Sequence, residues 1–215
     1  MSKIRVKYQT IEFDKLDIHM RILRDNQQFD DENDVAKDLG ISSASWPLFG
    51  QIWPSSIVLA NLMQSYQIAG KRILEVGCGI GLASLMLNSR MADITSTDYH
   101  PSVEAFLDIN TKLNDDRDIP FIRTGWIDED DELGKFDLII GSDLLYEEDH
   151  FTLLSNFIHN HAKKDCEVII IDPNRGNRNK FSTQMESFGF NCAHVDGISA
   201  DNIQNYKGKV ITYTR

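Results

Sequence analysis

The sequence predicts an α/β chain: a doubly wound, mostly parallel sheet of seven strands with an antiparallel edge strand, preceded by an amino-terminal β-hairpin. Three observations carry this. From Lys71 onward, short apolar runs alternate with helical periodicity, the βα pattern that builds a parallel sheet with helices on both faces. The run Arg72-Ile73-Leu74-Glu75-Val76 closes on glycines at alternate positions, Gly77, Gly79 and Gly81, where the backbone can turn sharply and approach a ligand because no Cβ intervenes. The final extended segments, Asn191–Asp196 and Lys209–Thr214, have no full helix between them and read as an antiparallel hairpin at one edge.

The elements follow in order. Ile4–Phe13 and Leu16–Leu23 alternate around Asp14-Lys15 and predict the hairpin. Residues 30–45 are polar and acidic and read as a loop or short helix. Pro54 suits a first helical position, with Ile57, Val58, Leu62 and Met63 marking an apolar face in a helix reaching Ala69. Strand Arg72–Val76 precedes helix Ile80–Ser89, whose first amides would face a ligand. Strand Asp93–Thr97 precedes helix Pro101–Leu113, and Phe121–Thr124 is a short strand. Strand Phe136–Gly141 precedes helix Asp149–Ala162, and strand Glu167–Asp172 precedes helix Arg178–Phe188. No repeat or linker interrupts this, so residues 1–215 read as a single domain, with 1–45 as the hairpin and acidic-loop extension and 46–215 as the core.

Composition excludes several classes. The chain is 41% hydrophobic and 26% charged, ordinary globular material. No apolar run approaches the roughly 18 residues of a membrane span, and MSKIRVKYQT lacks the apolar core of a secretory signal. Three cysteines, Cys78, Cys166 and Cys192, form no CxxC pair, which argues against a disulfide framework or a zinc site and for a reducing cytoplasm. A net charge of -11 argues against a nucleic-acid partner, which needs a basic footprint. Acidic clusters at Asp30–Asp34, Asp128–Glu132 and Glu147–Asp149 read as solvated loops or as a rim that attracts a basic protein.

Spacing narrows the cofactor. The dinucleotide fingerprint G-x-G-x-x-G fails in both registers, because its sixth position is Leu82 counted from Gly77 and Ser84 counted from Gly79. No Gly-Lys-Ser/Thr occurs, so the phosphate loop is absent; what stands is E-x-G-x-G-x-G from Glu75. Asp98 follows the second parallel strand, about 20 residues past the glycine turn, where a carboxylate can accept both ribose hydroxyls. Its alternative reading is an N-cap for the helix near Pro101. Tyr99 is placed to lie against an adenine, and His100 reads as a surface residue of the helix start. Trp126 offers a flat apolar face and Asp128 a carboxylate to a purine, or Trp126 simply seals the sheet end. Ser142-Asp143-Leu144-Leu145-Tyr146 stands at the carboxyl end of the fourth strand, where an acceptor must sit.

The motif from Glu75 to Gly81 resembles the first motif of the class I, seven-β-strand, S-adenosylmethionine-dependent methyltransferases. Asp143 and Tyr146 match the Asp-x-x-Tyr of a mostly lysine-directed protein methyltransferase group, methyltransferase-like family 16. The aromatic stretch Trp46-Pro47-Leu48-Phe49-Gly50-Gln51-Ile52-Trp53-Pro54 is similar to that group too, and the likeness runs from about Ile11 to Tyr213. It implies a Rossmann-like fold, S-adenosylmethionine as cofactor, and methyl transfer to a nitrogen acceptor such as a lysine of a protein substrate. Carried onto this chain, it implies cofactor contacts from Trp53, Glu75, Gly77, Cys78, Gly79, Gly81, Asp98, Tyr99, Trp126, Ser142 and Asp143. Catalytic roles fall to Asp143 and Tyr146, with Asp143 an organiser of the site rather than a strong base. After the fifth strand, Asp172-Pro173-Asn174-Arg175-Gly176 keeps only a general likeness.

Competing readings are a small-molecule methyltransferase on the same fold and a non-catalytic S-adenosylmethionine-binding partner protein. A nicotinamide oxidoreductase is disfavoured by Leu82. Base-directed methylation needs Asn- or Asp-Pro-Pro-Tyr, where this chain has Leu144-Leu145, or Pro-Cys, which none of its cysteines forms. His159 and His161 are two apart on a helix and make a poor metal pair, and His150 reads as an exposed helix start.

Overall fold

A computed structural model describes residues 4–128, 132–196 and 206–215. Of the acidic run Asp128–Glu132, residues 129–131 lie outside the described residues.

The hairpin forms from β1 (Val6–Phe13) and β2 (Leu16–Leu23), antiparallel, with Phe13 opposite Leu16 across a two-residue turn. Ile18, Met20 and Ile22 of β2 are buried, as alternation requires when one face meets the core. The short helix α1 (Val35–Asp38) and a 3₁₀ turn (Trp46–Gly50) follow, then α2 (Pro54–Met63). Helix α2 stops at Met63 rather than Ala69: the Arg90 guanidinium takes the carbonyls of Met63 and Tyr66, ending the helix with a cap from outside it.

The core alternates β3 (Arg72–Val76), α3 (Leu82–Ser89), β4 (Asp93–Asp98), α4 (Val103–Leu113), β5 (Phe121–Arg123), β6 (Phe136–Ser142), α5 (His150–His161), β7 (Ala162–Asp172), α6 (Arg178–Ser187), β8 (Asn191–Asp196) and β9 (Lys209–Thr214). Strand β7 starts at Ala162 rather than Glu167. Its first residue, Ala162, pairs with Phe136, and the exposed Lys163–Asp165 fall in the irregularity before Leu138 meets Glu167, so hydrophobic patterning does not mark them.

The seven strands run β5-β4-β3-β6-β7-β9-β8. Those from β5 to β7 are parallel, and β9 is antiparallel to both β7 and β8. Successive residues of β3 face opposite layers. Ile73 joins the core with α2, α3, α4 and the hairpin, while Leu74 and Val76 join the core with α5 and α6. Strand order reverses between β3 and β6, which opens a crevice at their carboxyl ends, the usual ligand position in an open α/β sheet.

The hairpin is joined to this core by two amides of α4. Asn114 accepts the His19 N–H at 2.8 Å and donates to the His19 carbonyl at 2.8 Å. Asn110 accepts the Arg21 N–H at 2.6 Å and donates to the Ile80 carbonyl at 3.1 Å. The free edge of β2 is thereby capped by side chains that imitate strand pairing.

Candidate active site

Val76 ends β3, and Gly77, Gly79 and Gly81 all take positive φ, at 60°, 52° and 79°. At Gly79 the need for glycine is steric as well as conformational: a Cβ there would stand 2.9 Å from the backbone carbonyl oxygen of Phe49. The 3₁₀ turn therefore presses directly on the glycine turn. The glycine turn also folds back on its own protein. The Cys78 N–H donates to the Thr97 carbonyl at 3.0 Å, Gly81 N–H to the Cys78 carbonyl at 2.9 Å, and Gly79 N–H to Asp98 Oδ2 at 2.9 Å. Cys78 itself is buried within the turn.

Asp98 does not cap α4. Its Oδ1 accepts the His100 N–H at 2.9 Å, and Ser102 holds the N-cap position. Burial pushes its carboxyl up, opposed by these backbone donors. Backbone N–H groups of His100, Gly79 and Tyr99 take part of its capacity of about four lone-pair sites, and what remains can accept from a hydroxyl donor. Glu75 is buried at the end of β3, with Oε2 accepting from the Ser84 hydroxyl, which also meets the Ser96 hydroxyl at 2.6 Å. Burial pushes its carboxyl up to about 7 against the pull of the Ser84 bonds.

His100 is not the surface residue its position suggested. It is buried, stacked on Phe49 at 4.1 Å and edge-on to Trp46 at 5.3 Å, and burial lowers it to about 4. The aromatic stretch thus meets the site from behind, with Trp53 Nε1 donating to the Leu48 carbonyl at 3.0 Å at the start of α2.

Beyond the tip of β4, Tyr99 is exposed, donates to the Leu39 carbonyl and lies beside Gly125. The Asp128 carboxylate accepts the Gly125 N–H at 2.6 Å, so it shapes its own loop. Half-buried Trp126 meets His150 edge-on at 5.0 Å, and His150 meets Tyr146 at 4.6 Å. His150 is thus half-buried between two rings, with Nδ1 2.8 Å from the Leu144 carbonyl.

At the tip of β6, Ser142 is half-buried and Asp143 adopts φ 57°, a left-handed conformation that a non-glycine residue holds only under constraint. The constraint is visible. The Asp143 N–H donates to the Ile171 carbonyl at 2.9 Å, and its carboxylate receives Arg175 Nε at 2.9 Å and Nη2 at 3.0 Å. Partial burial, then the carboxylates of Asp98, Glu147 and Asp143, hold the Tyr146 phenol above its ordinary value. Arg175 and Phe49 reach these residues from distant segments that spacing did not connect to them, whereas His100 directly follows Asp98 and Tyr99 and only its burial was not legible. Only the turn-rich Pro173-Asn174-Arg175-Gly176 marked a loop there.

These residues fit S-adenosylmethionine. Asp98 retains acceptor capacity for a hydroxyl donor, the glycine turn stands beside it at the carboxyl end of β3, and Tyr99 and Trp126 follow the tips of the neighbouring strands β4 and β5. Among the described residues no His/Cys/Asp/Glu group could hold a metal.

Solved structures share the architecture. A T. thermophilus 16S rRNA N2 G1207 methyltransferase in complex with AdoMet and guanosine superposes with TM-score 0.67 at 13% identity, covering 98% of this chain and 51% of that one. A ribosomal protein L11 methylase from Lactobacillus delbrueckii gives TM-score 0.60 at 19% identity, over 77% and 80% of the two chains. The fold and the site define a class I methyltransferase with S-adenosylmethionine as cofactor.

The sequence comparison is more specific. A family model described as lysine methyltransferase matches residues 36–188, and the chain belongs to that family. The zebrafish (Danio rerio) protein N-lysine methyltransferase METTL21A is 27% identical over 167 residues, 72% of this chain and 76% of that protein. A histidine protein methyltransferase 1 homolog from Dictyostelium discoideum is 31% identical over 122 residues, 54% of this chain and 40% of that protein.

Proposed function

We propose that this enzyme methylates a lysine side chain of a basic protein, with Asp98 at the cofactor's ribose and Asp143 and Tyr146 at the acceptor. The observation that carries the acceptor assignment is the strained Asp143 at the tip of β6, beside the switch point between β3 and β6. Bound S-adenosylmethionine supplies an electrophilic methyl carbon: the N–C bond forms as the C–S bond breaks, sulfur keeps the electron pair, and the methylated nitrogen later yields its proton to water. The chain's contribution is aim, because holding reactants at about 3–3.5 Å in line removes several kcal/mol of barrier. Tyr146 adds an aromatic wall and a phenol, and the backbone around Glu75, Gly77 and Gly79 shapes the seat for the amino-acid end of the cofactor.

A net charge of -11 favours a cationic protein over a nucleic acid as partner. Three cysteines with no CxxC pair fit a cytoplasmic setting. Residues 1–215 act as one domain in this reading, the hairpin of the 1–45 extension being tied to the core through Asn110 and Asn114. A histidine acceptor is the second reading, favoured by the Dictyostelium relative.

The test is transfer of a radiolabelled methyl group into a whole-cell lysate, resolved by size and hydrolysed to amino acids. A labelled protein yielding methyllysine is expected, and methylhistidine would select the second reading. Label confined to low-mass metabolites, or cofactor binding with no transfer, would refute a protein acceptor. Asp143→Ala should cut transfer about 100-fold or more while the fold persists, since a partly exposed ion pair contributes about 1 kcal/mol or less.

A further inference from the structure

We infer that Arg175 is a positioning residue of the acceptor site: its two-point ion pair withholds the Asp143 charge from the incoming amine, so that the nitrogen is received uncharged. The inference rests on the protein-acceptor reading and deepens it.

The pair is built, not incidental. Both carboxylate oxygens of Asp143 are engaged, at 2.9 and 3.0 Å, in a fork geometry that lysine cannot reproduce. The Asp143 side chain is 11% exposed and that of Arg175 is 44% exposed, so the contact sits at the mouth of the site. The loop bearing Arg175 is fixed on three sides. The Arg175 N–H donates to Asp172 Oδ1 at 3.1 Å. Asn177 donates to the carbonyls of Leu145 and Glu147 at 3.2 and 2.9 Å, stapling this loop to the Asp-x-x-Tyr segment. Asn174 donates to the Lys207 carbonyl at 2.6 Å and accepts from Arg178 at 3.1 Å.

A second carboxylate sharpens the argument. Asp172 is 1% exposed, and its Oδ2 has no hydrogen-bond partner. The charged and titratable groups facing the pair are Tyr146 and Glu147 from the loop after β6, Asp172 from β7, Arg178 from α6 and Tyr206 before β9, with Asp98 acting on Tyr146. Carboxylates outnumber guanidinium groups here. Without Arg175 they would stabilise an ammonium ion, which has no lone pair to attack with. With Arg175 in place the nearest carboxylate is compensated, and a guanidinium stands beside the acceptor nitrogen, favouring its neutral form. The Asp143 oxygens keep lone pairs with which to orient the N–H groups of that amine.

The test uses the whole chain, S-adenosylmethionine, and the principal protein that it labels in lysate, purified and supplied at saturation. The pH profile of kcat then reports groups in the bound complex. Arg175→Ala should move the acid limb upward by about one pH unit, so that kcat near pH 7 falls about tenfold. Arg175→Lys keeps the charge but not the fork and should return the limb part of the way to its wild-type position. Cofactor affinity, read by calorimetry, should be the same in all three proteins. An unmoved acid limb in Arg175→Ala, or an equal fall at every pH that Arg175→Lys does not relieve, would overturn the inference and leave Arg175 a structural staple. Failure of the wild type to label any protein is a different result: it removes the protein acceptor first, and this role with it.

Discussion

The Asp98 carboxylate accepts the backbone N–H of Gly79 at 2.9 Å, which ties the tip of β4 to the middle of the glycine turn. The group proposed to hold the ribose is therefore also the group that fixes the turn beneath the cofactor. Its second oxygen holds His100, and through His100 the stacked ring of Phe49.

Asp98→Ala removes the proposed sugar contacts. Losing two hydrogen bonds to a carboxylate, about 1.5–3 kcal/mol each, should weaken S-adenosylmethionine binding about 100-fold or more. Calorimetry on Asp98→Ala and Asp98→Asn gives the answer, the second variant keeping one oxygen acceptor and falling between. Affinity within a factor of about two of wild type in Asp98→Ala would end the ribose assignment.

Gly79 and Gly70 provide a matched pair. Both have positive φ, but a Cβ at Gly70 meets nothing within 4 Å, whereas one at Gly79 meets the Phe49 carbonyl at 2.9 Å. Gly70→Ala should cost only the left-handed penalty, about 1–2 kcal/mol. Gly79→Ala adds a backbone collision and should cost more, with a loss of cofactor affinity that Gly70→Ala does not share. Equal melting temperatures for the two variants would contradict the close approach.

Glu75 makes stability depend on pH. Its folded value, about 7, lies above the ordinary 4.5 of a glutamate, so the native state binds the proton more tightly than the unfolded chain. Its contribution is fully present below 4.5 and is lost as pH rises through about 7. Glu75→Gln should flatten that dependence and be more stable than wild type at alkaline pH, by about 2–3 kcal/mol without cofactor. His100 works in the opposite sense, because burial lowers it from 6.5 to about 4 and stability fades as pH falls through that window. Comparing wild type with Glu75→Gln at each pH cancels the histidine. Parallel stability curves for the two proteins would show that Glu75 titrates alike in the folded and unfolded chains.

Asn110 joins three elements, with its carbonyl on the Arg21 N–H of the hairpin and its amide on the Ile80 carbonyl of the glycine turn. Asn110→Ala leaves both buried backbone groups without a partner and should cost about 2–4 kcal/mol. Urea unfolding measures this, and a change below about 0.5 kcal/mol would mean that water replaces both bonds.

The parallel strands were legible because apolar alternation and glycine turns are short-range properties. Arg72–Val76 and the helix to Ser89 fall where patterning puts them. Asp98 and Asp143 could be singled out as candidates from the sequence because the first ends β4 and the second directly follows β6, at strand tips that point at the crevice. The end of α2 and the start of β7 were not, because the first depends on the Arg90 guanidinium and the second on Ala162 pairing with Phe136 ahead of a bulge of exposed polar residues.

The order of apolar runs, glycines and acids along the chain is enough to specify the sheet and the crevice, since neighbouring residues dictate backbone direction and turn geometry, while the kind of cofactor comes from the resemblance of the Glu75–Gly81 motif. Which side chains then meet across the crevice is a matter of loop closure between remote segments. Arg175 on Asp143, Phe49 against Gly79 and Asn110 between the hairpin and Ile80 all exist only once the layers have packed, because no local rule joins residues that far apart in the chain.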